Sequence, residues 1–175
     1  MRIAILGAHK VGKTSLAEEL LERLPGYTLE AEPYYQLESL GYAFSEPPTA
    51  DDFMEQFDYA AKLASRSGND VILDRCVLDI LAYLHATDPG RDIQSLFENA
   101  QTVLKEIDLF VFVPIENPDL IPGHETDLPG LRRQVDDLLH DWISDFGIEA
   151  ITVSGSLSHR VGQVLAKVAS FSHYM

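Results

Sequence analysis

The sequence predicts an α/β fold built on a parallel sheet. Strand-like and helix-like segments alternate throughout, a glycine-rich turn joins the first strand to the first helix, and the fourth strand is apolar on both faces. Residues 3–6 read as a buried first strand. Residues 13–24 read as a helix: Leu16, Leu20 and Leu24 share a face, Glu18, Glu19 and Glu22 lie largely off it, and Pro25-Gly26 stops it. Residues 27–31 make a weaker second strand, and residues 34–48 show no decisive period. Thr49 reads as an N-cap, with Asp52 three residues on, opening a helix that buries Phe53, Phe57, Ala60 and Ala64 and ends at Gly68-Asn69.

Residues 71–73 form a short buried strand closing on Asp74. Residues 77–86 are helical, Asp88-Pro89-Gly90 breaks the chain, and Ile93, Leu96, Ala100 and Val103 mark another amphipathic helix. Residues 109–113 are the fourth strand. Residues 114–130 hold four prolines and two glycines without periodicity, which makes a long irregular loop of the kind that carries function. Residues 131–146 are helical, with Val135, Leu138, Leu139, Trp142 and Phe146 inward and Gly147 as stop. Residues 148–153 are the fifth strand, and Ser156 caps a last helix that buries Val161, Val164, Leu165 and Val168.

The chain has 175 residues, 46% hydrophobic and 23% charged, enough for one domain over residues 1–175 with a sizeable core. Its net charge of −15 repels nucleic acid and anionic lipid, which excludes polymeric nucleic acid as a partner. A solvated acidic surface accounts for that charge. A protein so acidic that also binds phosphates has to gather its few cations in one place. Cys76 is the sole cysteine, so no intrachain disulfide forms, which suits a reducing cytoplasm. The opening apolar run is too short for a signal peptide, and the longest one, residues 109–115, cannot cross a bilayer. Nothing sets an oligomeric state, and a homodimer stays open.

Gly7-Ala8-His9-Lys10-Val11-Gly12-Lys13-Thr14 fits G-x-x-x-x-G-K-[ST] in full, directly after a strand and directly before a helix. The glycines let successive N–H groups turn into one cavity, and the helix N-terminus adds partial positive charge. Lys13 is placed to reach the β- and γ-phosphates of ATP, and the Thr14 hydroxyl to ligate Mg²⁺. Gly7, Ala8, His9, Lys10, Val11, Gly12, Lys13, Thr14 and Ser15 are therefore the candidate nucleotide site. A glycine turn without a ligand leaves Lys13-Thr14 unexplained. His9 and Lys10 read as exposed loop residues, although Lys10 can instead touch a phosphate.

Ligands of open α/β sheets bind beyond the carboxyl ends of the strands. The third strand ends in Asp74-Arg75, the second in Glu30-Ala31-Glu32-Pro33 and the fifth in Ser154-Gly155-Ser156, all at the edge that carries Gly7. With Leu73 to Tyr83, Glu32-Pro33, Leu131-Arg132-Arg133-Gln134-Val135-Asp136 and Val153-Ser154-Gly155, the chain resembles the nucleoside and nucleotide kinase branch of the P-loop proteins. That branch holds the deoxynucleoside, thymidylate and nicotinamide-riboside kinases, with an AAA-type ATP-binding domain.

The resemblance spans nearly the whole chain. It implies a three-layer P-loop NTPase with a five-stranded parallel sheet in order 2-3-1-4-5 and a lid over residues 115–133. It implies ATP- and Mg²⁺-dependent phosphoryl transfer to a small molecule, a nucleoside or nucleoside monophosphate. By the same resemblance, Asp74 holds Mg²⁺ or orients the acceptor, and Arg75 contacts the transferred group or the acceptor. Glu32 takes the hydroxyl proton, with Glu30 as alternate, and Arg132 or Arg133 closes over the phosphates. Ser154 and Gly155 border the adenine, and Arg160 stacks on it.

Each of these residues also has a plainer reading. Asp74-Arg75 can be a strand-end ion pair, Glu30 and Glu32 a solvated face, and Arg132 and Arg133 partners of acids on their own helix. Asp79 either faces the acceptor or caps its helix, and Arg160 fits a surface role. Cys76 stands where the branch has Ser or Tyr, and Glu116, Asp119, Glu125 and Asp127 occupy a lid that in kinases carries another arginine. Asp127-Leu128-Pro129-Gly130 spells the D-x-x-G of a GTPase switch, but no Asn-Lys-x-Asp follows. An ATP-binding or ATP-hydrolysing regulatory module without an acceptor is the stronger rival. The six histidines lack metal-ligand spacing.

Overall fold

The computed structural model describes residues 1–119, 121 and 128–172. Its elements run β1 (Arg2–Leu6), α1 (Lys13–Arg23), β2 (Thr28–Glu30), α2 (Pro33–Ser39), α3 (Ala50–Arg66), β3 (Val71–Asp74), α4 (Val77–Thr87), α5 (Gln94–Leu104), β4 (Leu109–Phe112), α6 (Pro129–Asp145), β5 (Ala150–Thr152) and α7 (Leu157–Ser172). The five strands are all parallel, in the order β2-β3-β1-β4-β5 expected from the sequence. Ile3 pairs with Ile72 on one side and with Leu109 on the other.

Hydrophobicity sets that order. β1, β3 and β4 are buried along their whole length and hold the centre, while β2 and β5 are partly exposed and take the edges. Arg2, at the buried start of β1, is tied down by an ion pair to Glu106 and a hydrogen bond to the Ala64 carbonyl. α1 packs against α7, and α3, α5 and α6 gather around α4. Residues 77–84 of α4 are buried on every side, as befits a helix enclosed by others.

Residues 34–48, left without assignment from periodicity, begin with α2. Pro33 at its first position presets the helical φ and lacks the N–H that a helix start leaves unpaired. α6 likewise begins on a proline, two residues earlier than the apolar pattern indicates. Phe146 departs from expectation: it is 38% exposed beyond the last turn of α6, its ring meeting Phe97 at 4.1 Å rather than entering the core. Ser156 precedes α7 as expected, its hydroxyl accepting from the His159 N–H at 3.3 Å. Part of the expected lid, including Glu125 and Asp127, lies outside the described residues. No helix among the described residues is long and apolar enough to cross a membrane.

α3 carries the expected capping box. The Thr49 hydroxyl accepts from the Asp52 N–H, and the Asp52 carboxylate accepts from the Thr49 N–H at 2.7 Å. Thr49→Ala removes one half of that exchange and is expected to cost about 1 kcal/mol of stability, read as a lower denaturant midpoint at unchanged slope.

Candidate active site

The turn between β1 and α1 has the backbone its glycines require. Gly7 sits at φ 149° and Gly12, the N-cap of α1, at φ 90°. A Cβ on Gly7 would lie 2.4 Å from the Val113 carbonyl oxygen, so no side chain fits there. α1 has no side-chain cap, which leaves its first-turn N–H groups to an anion.

Four consecutive carbonyls of the loop are held by cations. Lys13 Nζ donates to Ala8 at 2.6 Å, Arg132 donates to His9 at 2.9 Å and Lys10 at 3.1 Å, and Arg160 donates to Val11 at 2.6 Å. In a trans peptide the next residue's N–H points opposite to the carbonyl. Fixing these oxygens therefore aims the N–H groups of residues 9–12 to the other side; that of His9 meets the Tyr83 hydroxyl, and residues 10–12 have the arrangement of an anion-binding nest.

Lys13 is 4% exposed, and burial, then Arg75, lower its pKa to about 8. Asp79 supplies the counter-charge and settles the choice left open above. It caps α4 by accepting the Cys76 N–H at 3.0 Å, and it also accepts the Gly7 N–H at 2.6 Å. Fully buried, its carboxyl is pushed above the usual range by desolvation, which Arg75 and Lys13 oppose.

The end of β3 stands beside the loop. Thr14 Oγ1 donates to Asp74 Oδ2 at 2.6 Å, while Asp74 Oδ1 is buried with no partner, and burial raises this carboxyl's pKa. An orphaned carboxylate oxygen next to a hydroxyl suits Mg²⁺, which keeps most of its waters and takes one or two protein oxygens. Among the described residues no cluster of three or more His, Cys, Asp or Glu forms a self-sufficient metal centre.

Arg75 adopts φ 79°, a left-handed conformation costly for a residue with a Cβ, and its N–H donates to the Ile5 carbonyl at 3.2 Å. Its guanidinium pairs with Glu32 at 2.9 Å and lies 4.9 Å from the centre of the Tyr83 ring. Burial works against the charge on Arg75, but Glu32, then Tyr83 and Asp79, hold its pKa above the ordinary value. The two candidate bases separate: Glu32 meets Arg75, whereas Glu30 accepts from Ser67 Oγ at 3.3 Å, at the far end of α3.

A cavity of about 230 Å³ opens here, lined by His9, Glu32, Tyr34, Pro48, Phe53, Gln56, Arg75, Tyr83, Leu128 and Leu131. Gln56 and Tyr83 were given no role from sequence, yet each had a signal. Gln56, 3% exposed, lies on the buried stripe of α3 between Phe53 and Ala60. Tyr83 is one helical turn beyond Asp79, and its hydroxyl accepts the His9 N–H at 2.6 Å, tying the loop to α4.

The lid arginines divide. Arg132 is 5% exposed, on the loop carbonyls and paired with Asp119; Arg133 beside it is exposed. Arg160 is not at the surface: it is 6% exposed, paired with Glu116 at 3.3 Å and bonded to the carbonyls of Val11 and Gly155. Glu116 and Asp119 thus serve as counter-ions to buried arginines. Gly155, at φ 85°, donates its N–H to Glu116, and the Ser154 N–H donates to Gln163 at 3.0 Å.

The fold and this loop define a P-loop protein. A family model described as an AAA domain matches residues 2–160, and the chain belongs to that family. No curated protein sequence matches it. Among solved structures it is similar to a deoxyadenosine kinase from M. mycoides with dCMP and dCDP bound, at 14% identity and TM-score 0.67, over 98% of this chain and 100% of that one. It is similar to a NadR protein in complex with NAD and AMP-PNP, at 17% identity and TM-score 0.71, over 93% of this chain and 48% of that one. A thymidylate kinase from Candida albicans aligns at 16% identity and TM-score 0.65, over 99% of this chain and 93% of that one. These likenesses establish the fold.

Gly7→Ala places a methyl group against the Val113 carbonyl at a φ only glycine tolerates. It is expected to cost about 3 kcal/mol or more and to lower nucleotide affinity, measured by thermal melting with and without Mg-ATP. A variant that melts and binds like the wild type would mean that this turn is not tight.

Proposed function

We propose that the protein transfers the γ-phosphoryl group of ATP, with Mg²⁺, to a small acceptor, either the hydroxyl of a nucleoside or the phosphate of a nucleoside monophosphate. The observation that carries this reading is the Glu32–Arg75 pair in the wall of a cavity that also touches the phosphate loop through His9. A loop that only bound nucleotide would need no such second chamber.

The residues divide the work. Gly7 to Ser15 cradle the phosphates, with Lys13 as the fixed cation, and Ser154 and Gly155 border the adenine. Thr14 and Asp74 would hold Mg²⁺, which when bound neutralises phosphate charge. Glu32 orients the acceptor hydroxyl and accepts its proton; Arg75 holds that carboxylate and faces the group in transit. Arg132 or Arg133 acts on the phosphates as the lid closes; Arg132 would have to leave the loop carbonyls to do so, whereas Arg133 is exposed. The whole chain, residues 1–175, acts as one unit, with 115–133 as its lid. The transfer needs alignment and positive charge more than covalent help, and the buried arginines supply both in an acidic protein.

The pairing of Arg132 with Asp119 and of Arg160 with Glu116 favours a second reading, an ATP-binding module without an acceptor whose arginines stay engaged. Dependence of ATP turnover on acceptor separates the two: a kinase needs the acceptor, a module does not.

Lys13→Ala is expected to lower kcat/KM by about 10²-fold or more and to weaken ATP binding. Glu32→Gln should leave ATP affinity intact while kcat falls by about 10²- to 10⁴-fold; normal turnover would remove Glu32 as the base. Asp74→Asn should raise the Mg²⁺ concentration for half-maximal rate about tenfold, and an unchanged titration would take Asp74 out of the metal site.

A further inference from the structure

We infer that the acceptor carries no phosphate, so that of the two classes proposed above it is the nucleoside and not the nucleoside monophosphate; this inference rests on the phosphotransfer reading. It follows from where the cations are. The chain has 13 lysines and arginines, and residues 120, 122–127 and 173–175 contain none, so the described residues account for every one. Arg75 alone among them lines the cavity, and Glu32 in the same wall neutralises it at 2.9 Å. The other buried cations near the loop are committed elsewhere: Lys13 to the Ala8 carbonyl, Arg132 to the loop and Asp119, Arg160 to the loop and Glu116.

A phosphomonoester brings a charge of roughly −1.5 to −2 at neutral pH. In this cavity it would share one guanidinium with the Glu32 carboxylate. Burying that charge without further cations is strongly unfavourable. A neutral alcohol makes no such demand. Its hydroxyl needs one carboxylate, which Glu32 provides.

The rest of the wall suits a flat, uncharged ring. Phe53 stacks on Tyr83 with ring centres 5.1 Å apart, Tyr34 stacks on Phe44 at 4.2 Å, and the Gln56 amide is the uncharged polar group set among them. The volume of about 230 Å³ lies below the range of roughly 300–1,000 Å³ typical of larger ligands, which leaves room for a ring and a sugar-sized alcohol but little more.

The test is a product-resolved assay of the full chain with ATP and Mg²⁺ at pH 7, offering a panel of ribo- and deoxyribonucleosides beside their 5′-monophosphates. The expected result is transfer to at least one nucleoside, with kcat/KM at least about 100-fold above that for its monophosphate, a margin reachable when one ligand strands a buried charge. Equal or faster transfer to monophosphates overturns the inference and leaves the phosphotransfer reading standing. ATP turnover that neither set stimulates overturns both.

Discussion

The rest of the site depends on one arrangement: cations grip successive carbonyl oxygens of the loop between β1 and α1. A protein of net charge −15 has few positive groups to place. It sets Lys13, Arg132 and Arg160 against the loop, where they fix the peptide planes from Ala8 to Val11. The N–H groups of residues 10–12 then point away from the gripped oxygens because planar trans peptides leave them nowhere else to turn. The loop is thus held ready for an anion by contacts made with its carbonyls. The arginines that do this come from α6 and α7, so the distant end of the chain completes a structure begun in its first dozen residues.

The carboxylates follow the same logic. Each buried cation has a nearby acid: Asp79 beside Lys13, Glu32 with Arg75, Asp119 with Arg132, Glu116 with Arg160. Isolated charges at these depths would be costly, whereas pairs with extra hydrogen bonds are tolerated and resist displacement. Of the acids after β4 that depart from a kinase lid, Glu116 and Asp119 are explained by the arginines they neutralise. Arg75 shows the same concentration of constraint, since its left-handed backbone persists only because the Ile5 carbonyl, Glu32 and Tyr83 hold it from three sides.

What could be read from the residues alone was what is local. The phosphate loop is a contiguous pattern, the capping box of α3 spans four residues, and the central strands announce themselves by unbroken apolarity, whereas the sheet order came from the resemblance to P-loop kinases. The helix at Pro33 lacked a full period because it has only seven residues. Arg160 was the instructive failure. It belongs to an amphipathic helix where an arginine reads as surface, and its partner Val11 lies 149 positions away. Nothing short of the fold reveals that contact. Gln56 and Tyr83 fall between these cases: each occupies the inward stripe of a helix, where a polar group is out of place unless something meets it.

Asp79 has a further consequence. One carboxylate accepts the first N–H of the phosphate loop and the N–H that opens α4, and Tyr83, a turn later, grasps His9. The phosphate loop and the Tyr83 wall of the adjacent cavity are therefore parts of a single block. On the phosphotransfer reading, the spacing between nucleotide and acceptor is fixed when the chain folds, like a bench whose clamps are already set.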